Sequence, residues 1–256
     1  MRRAVLPLSG TEAGRAPLSV GAGGDTTIEI DRAAEAVVFS ELAGLVSRGE
    51  KFSVLSEEAG RRNFGADYPL VLVDPVDGSL NAKQGVPLLG LMLAVLDGPT
   101  VADTYAGMVL NLNTAEEWRA IRKKGAWRAG KPLTAMKRAD SSRIELLGLD
   151  STPRALEVAR PLVERANKIR ILGSMALSIA LTSAGAFDAF CAPIPVRVFD
   201  MAASLLLLAE TGGVATTIQG EPLARMRCDL DSRSTLLCAP TRELHAEALK
   251  LLGTGS

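Results

Sequence analysis

The chain has 256 residues, 47% of them apolar, which suffices for one large domain or two modest ones with a substantial core. Its 29 basic and 29 acidic side chains cancel and neither sign forms a long run, which excludes the footprint of a nucleic-acid binder or a polybasic membrane anchor. A lone histidine, His245, rules out a histidine-rich zinc site and would have to carry the whole mechanism of a Ser-His-Asp hydrolase.

Met1 to about Gly24 is rich in small residues and weakly periodic, and predicts a short helix followed by a loop. Asp25 to Ser47 reads as a helix, with Ile28, Ile30, Ala33, Ala34, Val37, Val38, Leu42 and Leu45 recurring at mixed spacings of three and four. Phe52–Leu55, Leu70–Val73 and Leu88–Asp97 are apolar runs expected to form strands, and Tyr105–Leu112 with Glu117–Arg122 predicts a hairpin around Asn113-Thr114. Consecutive strands joined by short turns point to an antiparallel sheet, with Trp118 and Trp127 packed in it or at its edge.

Beyond Lys131 helices and strands alternate. Ile144–Leu149, Ile169–Leu172, Phe187–Ala192, Val214–Ile218 and Thr235–Ala239 read as strands. Pro153–Ala166, Ser174–Ala184, Met201–Thr211 (closed by Gly212-Gly213) and Arg242–Leu252 read as helices. The change of pattern near residue 135 divides the chain into an amino-terminal α+β half, 1–135, and a carboxyl-terminal α/β half, 136–256, packed together. Cys191, Cys228 and Cys238 are odd in number and lack Cys-x-x-Cys spacing, as in a reduced chain. No apolar leader follows Met1-Arg2-Arg3, and the stretch around Leu205–Ala209 is too short to span a bilayer, so a cytoplasmic protein is expected.

Asp74-Pro75-Val76-Asp77-Gly78-Ser79 follows the Leu70–Val73 run directly, delivering two carboxylates, a glycine and a hydroxyl at the end of a buried strand. Asp-Pro and Asp-Gly pairs make ordinary turns. The same residues on a proline-stiffened turn can converge on a hard cation, while Gly78 lets backbone N–H groups approach an anion. Glu57-Glu58, Asp200 and Asp31 stand in comparable places, at strand ends or helix starts. Oxygen donors without imidazole or thiolate favour Mg²⁺ over zinc, and such acidic groups converging without a cation would repel strongly. Gly78-Ser79 and Gly173-Ser174 each precede a helix and offer free N–H groups to phosphate. Gly21-x-Gly23-Gly24 lacks the preceding strand and the spacing of a dinucleotide fingerprint, and Gly130-Lys131 lacks the upstream glycine of a P-loop.

Glu57-Glu58, Asp74-Pro-Val-Asp-Gly-Ser79, Gly173-Ser-Met-Ala-Leu177, and Asp200-Met-Ala-Ala203 followed by Glu210-Thr-Gly-Gly213 resemble, in this order, the motifs of the inositol monophosphatase and fructose-1,6-bisphosphatase superfamily. The resemblance covers roughly residues 20–240 and is strongest to the compact, archaeal-type dual-activity branch, which is similar in its Gly-rich lead-in, its Gly-Ser-Met-Ala-Leu turn and an arginine three residues before the last metal aspartate, here Arg197. It implies a layered α/β/α/β/α sugar-phosphatase fold, of α/β class with α+β character, antiparallel in its first sheet and mixed in its second.

The resemblance also implies two or three Mg²⁺ ions held by Glu57, Asp74, Asp77, Asp200 and the backbone carbonyl of Val76. Glu57 and the Ser79 hydroxyl, supported by Asp31, would orient and deprotonate the attacking water. Substrate contacts would come from Asp77, Gly78, Ser79, Gly173, Ser174 and Met175. Two departures from the family pattern stand out. Ser79 replaces the threonine of most members and loses its β-branched stiffness. Cys191-Ala192-Pro193 occupies the place where inositol-specific members carry a glutamate, whereas Arg170 and Arg197 suit a second phosphate or several hydroxyls. The implied activity is Mg²⁺-dependent hydrolysis of fructose 1,6-bisphosphate, inositol 1-phosphate or both, in a homodimer. A 3′-phosphonucleotide or NADP phosphatase is the enzymatic alternative, and a regulatory partner of a larger assembly with vestigial activity is the alternative from another class.

Overall fold

The computed structural model describes residues 1–24, 26–135 and 143–253. Helix α1 (Arg2–Val5) leads to an antiparallel ribbon of β1 (Pro17–Val20) and β2 (Thr26–Ile28), and then to α2 (Glu29–Ser47). The expected loop before Gly24 thus contains a strand, and the helix expected from residue 25 begins at Glu29, with Asp25 outside the described residues. β-Branched Thr26, Thr27 and Ile28 favour the extended ribbon. The helix starts where the Asp31 carboxylate can accept the Ile28 N–H, at 3.0 Å.

Strand β3 (Phe52–Ser56) is flanked on both sides by the two ends of β4 (Gly60–Asp77). Gly60–Phe64 run antiparallel to it, with Ser56 opposite Gly60 and Phe52 opposite Phe64. After a bend at the cis Tyr68-Pro69 bond, Leu70–Val73 run parallel, with Ser53 opposite Leu70 and Ser56 opposite Val73. Helix α3 (Ser79–Gln84) precedes β5 (Gly90–Leu96), β6 (Thr104–Asn111), β7 (Glu117–Ile121), β8 (Gly125–Arg128) and β9 (Lys131–Pro132). Among the described residues these strands form a seven-stranded sheet in the order β3 to β9. The hairpin expected around Asn113-Thr114 joins β6 to β7, with Val109 opposite Trp118.

The second sheet contains β10 (Leu146–Leu149), β11 (Lys168–Arg170), β12 (Ala189–Arg197), β13 (Val214–Thr216) and β14 (Arg233–Ala239), in the order β11-β10-β12-β14-β13. It is mixed, as expected: β10 runs parallel to β11 and β12, while β14 is antiparallel to β12 and β13. Helices α4 (Leu156–Arg165), α5 (Met175–Ser183) and α6 (Ala202–Glu210) connect these strands, and α7 (Arg242–Gly253) follows the last of them. Pro153 sits in the turn before α4 rather than in its first turn, and Pro161 lies inside it. β12 extends beyond its expected end because the ladder with β14, interrupted between Ala192 and Val196 where Pro193 and Pro195 have no N–H to offer, resumes at Val196 and Arg197. The expected division after residue 135 falls beside a stretch outside the described residues.

Four apolar interfaces stack these elements as α/β/α/β/α. Val5 of α1 and Ala34, Val38 and Leu42 of α2 cover one face of the first sheet. Leu177 of α5 and Ala203 and Leu207 of α6 meet Leu72, Met92 and Val109 on its other face. The same two helices present Ile179, Leu205 and Leu208 to Phe190, Val196 and Leu236 of the second sheet, whose far side packs on Leu162 of α4 and Leu244 of α7. Buried on both sides, α5 and α6 are apolar almost all round. No helix among the described residues is long and apolar enough to cross a membrane.

The middle layer approaches the first sheet closely at Gly107 of β6, where an added Cβ would lie 2.9 Å from the Ala203 Cα. Gly107→Ala is expected to destabilise the protein by about 1–3 kcal/mol in urea unfolding, because the obstruction is backbone. The same change at the half-exposed helical Gly44 should stabilise by up to about 1 kcal/mol. His245 lies on α7 with its Nε2 3.0 Å from the Thr216 hydroxyl, and burial pushes its pKa below the ordinary histidine value despite a backbone hydrogen bond at Leu237. Since the folded-state value is the lower one, this contribution to stability is complete above about pH 6.5 and is lost as the pH falls through the folded pKa. NMR titration of this sole imidazole should show the low midpoint, and His245→Gln should soften the fall in stability between about pH 6.5 and 5.

Candidate active site

The site is built on an irregularity at the end of β4. Asp74 pairs with Met92 and Asp77 with Gly90, so three steps along β4 oppose two along β5. Pro75 has no N–H for the ladder, and the Val76 N–H turns back to Asp74 Oδ1 at 2.9 Å. Residues three apart on a regular strand face opposite sides; the extra residue of this bulge brings both carboxylates towards α5 and α6. The motif expected as a turn is therefore a bulged strand, and the chain turns only at Gly78. Gly78 has φ +98°, and a Cβ there would lie 2.9 Å from the Gly173 carbonyl oxygen.

Asp74 meets Glu57, just beyond β3, and Asp200, in the short 3₁₀ turn before α6. One carboxylate oxygen of each lies within 4.8 Å of the others. Burial lifts Asp74 well above the ordinary carboxylate range, with the charges of Glu57, Asp200 and Asp77 adding to the shift. Burial also lifts Asp200 to about 7, raised further by Asp77 and opposed by Arg197. Arg197 Nη2 lies 2.5 Å from Glu57 Oε1 and its Nε 3.8 Å from Asp200 Oδ2, so its charge offsets part of the repulsion. A buried group of oxygen donors held together against mutual repulsion suits a hard divalent cation.

Asp77 is held differently. Its Oδ1 accepts the Met175 N–H at 3.0 Å, while its Oδ2 accepts the Ala176 N–H at 2.9 Å and the Ser174 hydroxyl. Burial pushes its pKa to about 6 against these hydrogen bonds. Gly173, Ser174 and Met175 are thereby fixed to the end of β4. Ser79 donates its hydroxyl to the Val76 carbonyl at 3.1 Å and stands beside Asp31, whose carboxyl is raised by burial, a shift that the Ile28 N–H and the Ser79 hydroxyl oppose. Glu58 turns to the Thr27 hydroxyl, and Arg170 lies exposed on the edge strand β11, where its Nη1 donates to the Ile169 carbonyl.

The glycine-rich lead-in has a place in this site. The Ala22 and Gly23 N–H groups donate to the Glu58 and Glu57 carbonyls at 2.9 and 2.8 Å. A Cβ on Gly23 would lie 3.1 Å from Glu57 Cγ and 3.3 Å from Arg197 Nη1, so a bare backbone covers both side chains. Two residues near the site escaped sequence reasoning. Asn81 ties α3 to its surroundings by donating to the Leu88 and Leu172 carbonyls at 3.0 and 2.7 Å. Asp150 follows β10 as Asp74 follows Leu70–Val73, near enough to Asp77 for its charge to be felt there, and that shared pattern of a carboxylate after an apolar strand was the available signal.

The inositol monophosphatase family matches residues 11–254. The chain belongs to that family. It is 32% identical to a fructose-1,6-bisphosphatase/inositol-1-monophosphatase of Methanothermobacter thermautotrophicus, over 98% of this chain and 92% of that protein. It is 25% identical to a bifunctional NADP phosphatase/NAD kinase of Methanococcus maripaludis, over 99% of this chain and 47% of that protein, and so spans about half of it. A solved inositol monophosphatase–fructose 1,6-bisphosphatase superposes with a TM-score of 0.84 at 22% identity, covering 98% of this chain and 94% of that one, which is a likeness of fold.

Asp74→Asn removes one of the crowded charges. The variant should melt at or above the wild-type temperature without divalent ions, yet lose the upward shift that Mg²⁺ gives the wild type. Thermal melts with and without Mg²⁺ check both halves.

Proposed function

We propose that the protein is a Mg²⁺-dependent phosphomonoesterase acting on a phosphorylated sugar or polyol, namely fructose 1,6-bisphosphate, inositol 1-phosphate or both. The convergence of Glu57, Asp74 and Asp200 at the bulged end of β4 carries this reading. These three carboxylates, joined by Asp77 and the Val76 carbonyl through their remaining lone pairs, would hold two or three Mg²⁺ ions. When bound, Mg²⁺ supplies Lewis-acid charge that neutralises phosphoryl oxygens and acidifies the attacking water.

The chain's own groups then orient the reaction. The Ser79 hydroxyl positions the water and, turned from the Val76 carbonyl to Asp31, passes its own proton to the Asp31 carboxylate as it takes one from the water, with Glu57 assisting from the end of the neighbouring strand β3. The Gly78 and Ser79 N–H groups hold the phosphate, and the absence of a side chain on Gly78 permits that approach. Gly173, Ser174 and Met175, locked by Asp77, frame the alcohol portion, and Arg197 adds positive charge beside Glu57 and Asp200. Family membership and three free, buried cysteines support a homodimer acting in the cytoplasm. Similarity to the NADP phosphatase/NAD kinase favours NADP as the second substrate to test.

Phosphate release should be Mg²⁺-dependent and abolished by EDTA in a panel of fructose 1,6-bisphosphate, inositol 1-phosphate, NADP and a 3′-phosphonucleotide. Failure on both the sugar and the polyol phosphate would overturn the substrate assignment. Ser79→Ala should lower kcat about a hundredfold, whereas Ser79→Thr, which keeps the hydroxyl, should stay near wild type.

A further inference from the structure

We propose that Asp150 reads the alcohol half of the substrate by accepting a hydrogen bond from one of its hydroxyl groups, an inference that rests on the phosphatase reading above. β10 lies between β11 and β12 and is parallel to both, with Gly148 opposite Arg170 and Leu149 opposite Cys191. Asp150 therefore emerges at the same sheet end as Leu172-Gly173, which carry β11 into α5. In open α/β sheets this carboxyl end of parallel strands is where ligands lie. The position is fixed, because the Asp150 N–H donates to the Cys191 carbonyl at 3.1 Å. Through Leu172 and Gly173 the same sheet end leads to Ser174, Met175 and Ala176, the groups that grip Asp77. Asp150 and Asp77 are close enough for the charge of one to raise the pKa of the other.

The chemistry of the side chain narrows what it binds. The Asp150 carboxyl is half-buried, its pKa is raised by that burial and lowered by a backbone hydrogen bond at Ser151, and no cation among the described residues opposes its charge. Cys191 and Ala192 beside it on β12 are buried and apolar, so they offer no competing acceptor side chain. A carboxylate has about four lone-pair sites, and most of those on Asp150 remain for O–H donors. A phosphate in this position would meet a like charge, and an apolar group would desolvate the carboxylate without replacing its hydrogen bonds. A sugar or polyol hydroxyl satisfies it.

The test uses the full chain with Mg²⁺ and compares wild type, Asp150→Asn and Asp150→Ala. The substrates are inositol 1-phosphate, fructose 1,6-bisphosphate and p-nitrophenyl phosphate, the last having no alcohol hydroxyls. For whichever hydroxylated substrate the wild type turns over, Asp150→Ala should raise KM about tenfold with kcat within about twofold of wild type, the loss of one charge-assisted hydrogen bond in binding. Asp150→Asn, which keeps an acceptor oxygen, should fall between the two, and KM for p-nitrophenyl phosphate should not move. An equal rise for p-nitrophenyl phosphate, or unchanged KM for the hydroxylated substrates, overturns the proposal. Loss of a cooperative melt in both variants assigns Asp150 to the fold and overturns it as well. Failure of the wild type on all three substrates would instead overturn the phosphatase reading, and this proposal with it.

Discussion

The contact on which the site most depends is the carboxylate of Asp77 against the start of α5. Two backbone N–H groups and one hydroxyl converge on a single buried side chain. Hydrogen bonds to a charged acceptor are among the stronger ones in proteins, and each of these donors would be costly to leave unpaired in the interior. The bond joins the last residue of a strand in the first sheet to the helix that follows a strand of the second. Gly78 and Gly173, neither with a side chain, let the two backbones come close enough for it to form. Whatever lies between the sheets inherits its geometry from that joint.

The second constraint is electrostatic. Glu57, Asp74 and Asp200 come from three separate stretches of chain and meet where water is largely excluded, so their charges oppose folding as well as one another. Arg197 relieves part of that opposition from within the same group. The apolar packing on both faces of α5 and α6 supplies the rigidity that keeps the carboxylates in place. A preorganised acidic pocket of this kind is ready for a cation and little else.

Much of this was readable before any coordinates. Alternating apolar runs marked most strands, and the carboxylates that end them marked the site, because local period and local chemistry are written in contiguous residues. What escaped depended on contacts distant in sequence. Thr26–Ile28 looked helical from its apolar spacing, but β1 was available to pair with it. Asp74-Pro-Val-Asp read as a turn because Pro and Gly punctuate it, whereas pairing to β5 on either side converts it to a bulge. Gly21 and Gly23 matched no motif because they fit against Glu58 and against Glu57 and Arg197, contacts that no spacing rule encodes. Asp77 looked interchangeable with Asp74 until the α5 amides distinguished them.

The path of β4 carries a further consequence. Its first half, Gly60–Phe64, forms the outer border of the first sheet, and Arg61, Arg62 and Asn63 stand exposed there. An open strand border is a template for pairing with other molecules, and exposed charge discourages that. The inner half of the same strand ends in Asp74 and Asp77. One continuous segment therefore discourages edge-to-edge strand pairing at one end and assembles the acidic centre at the other, so colloidal behaviour and chemistry are physically separable along a single strand.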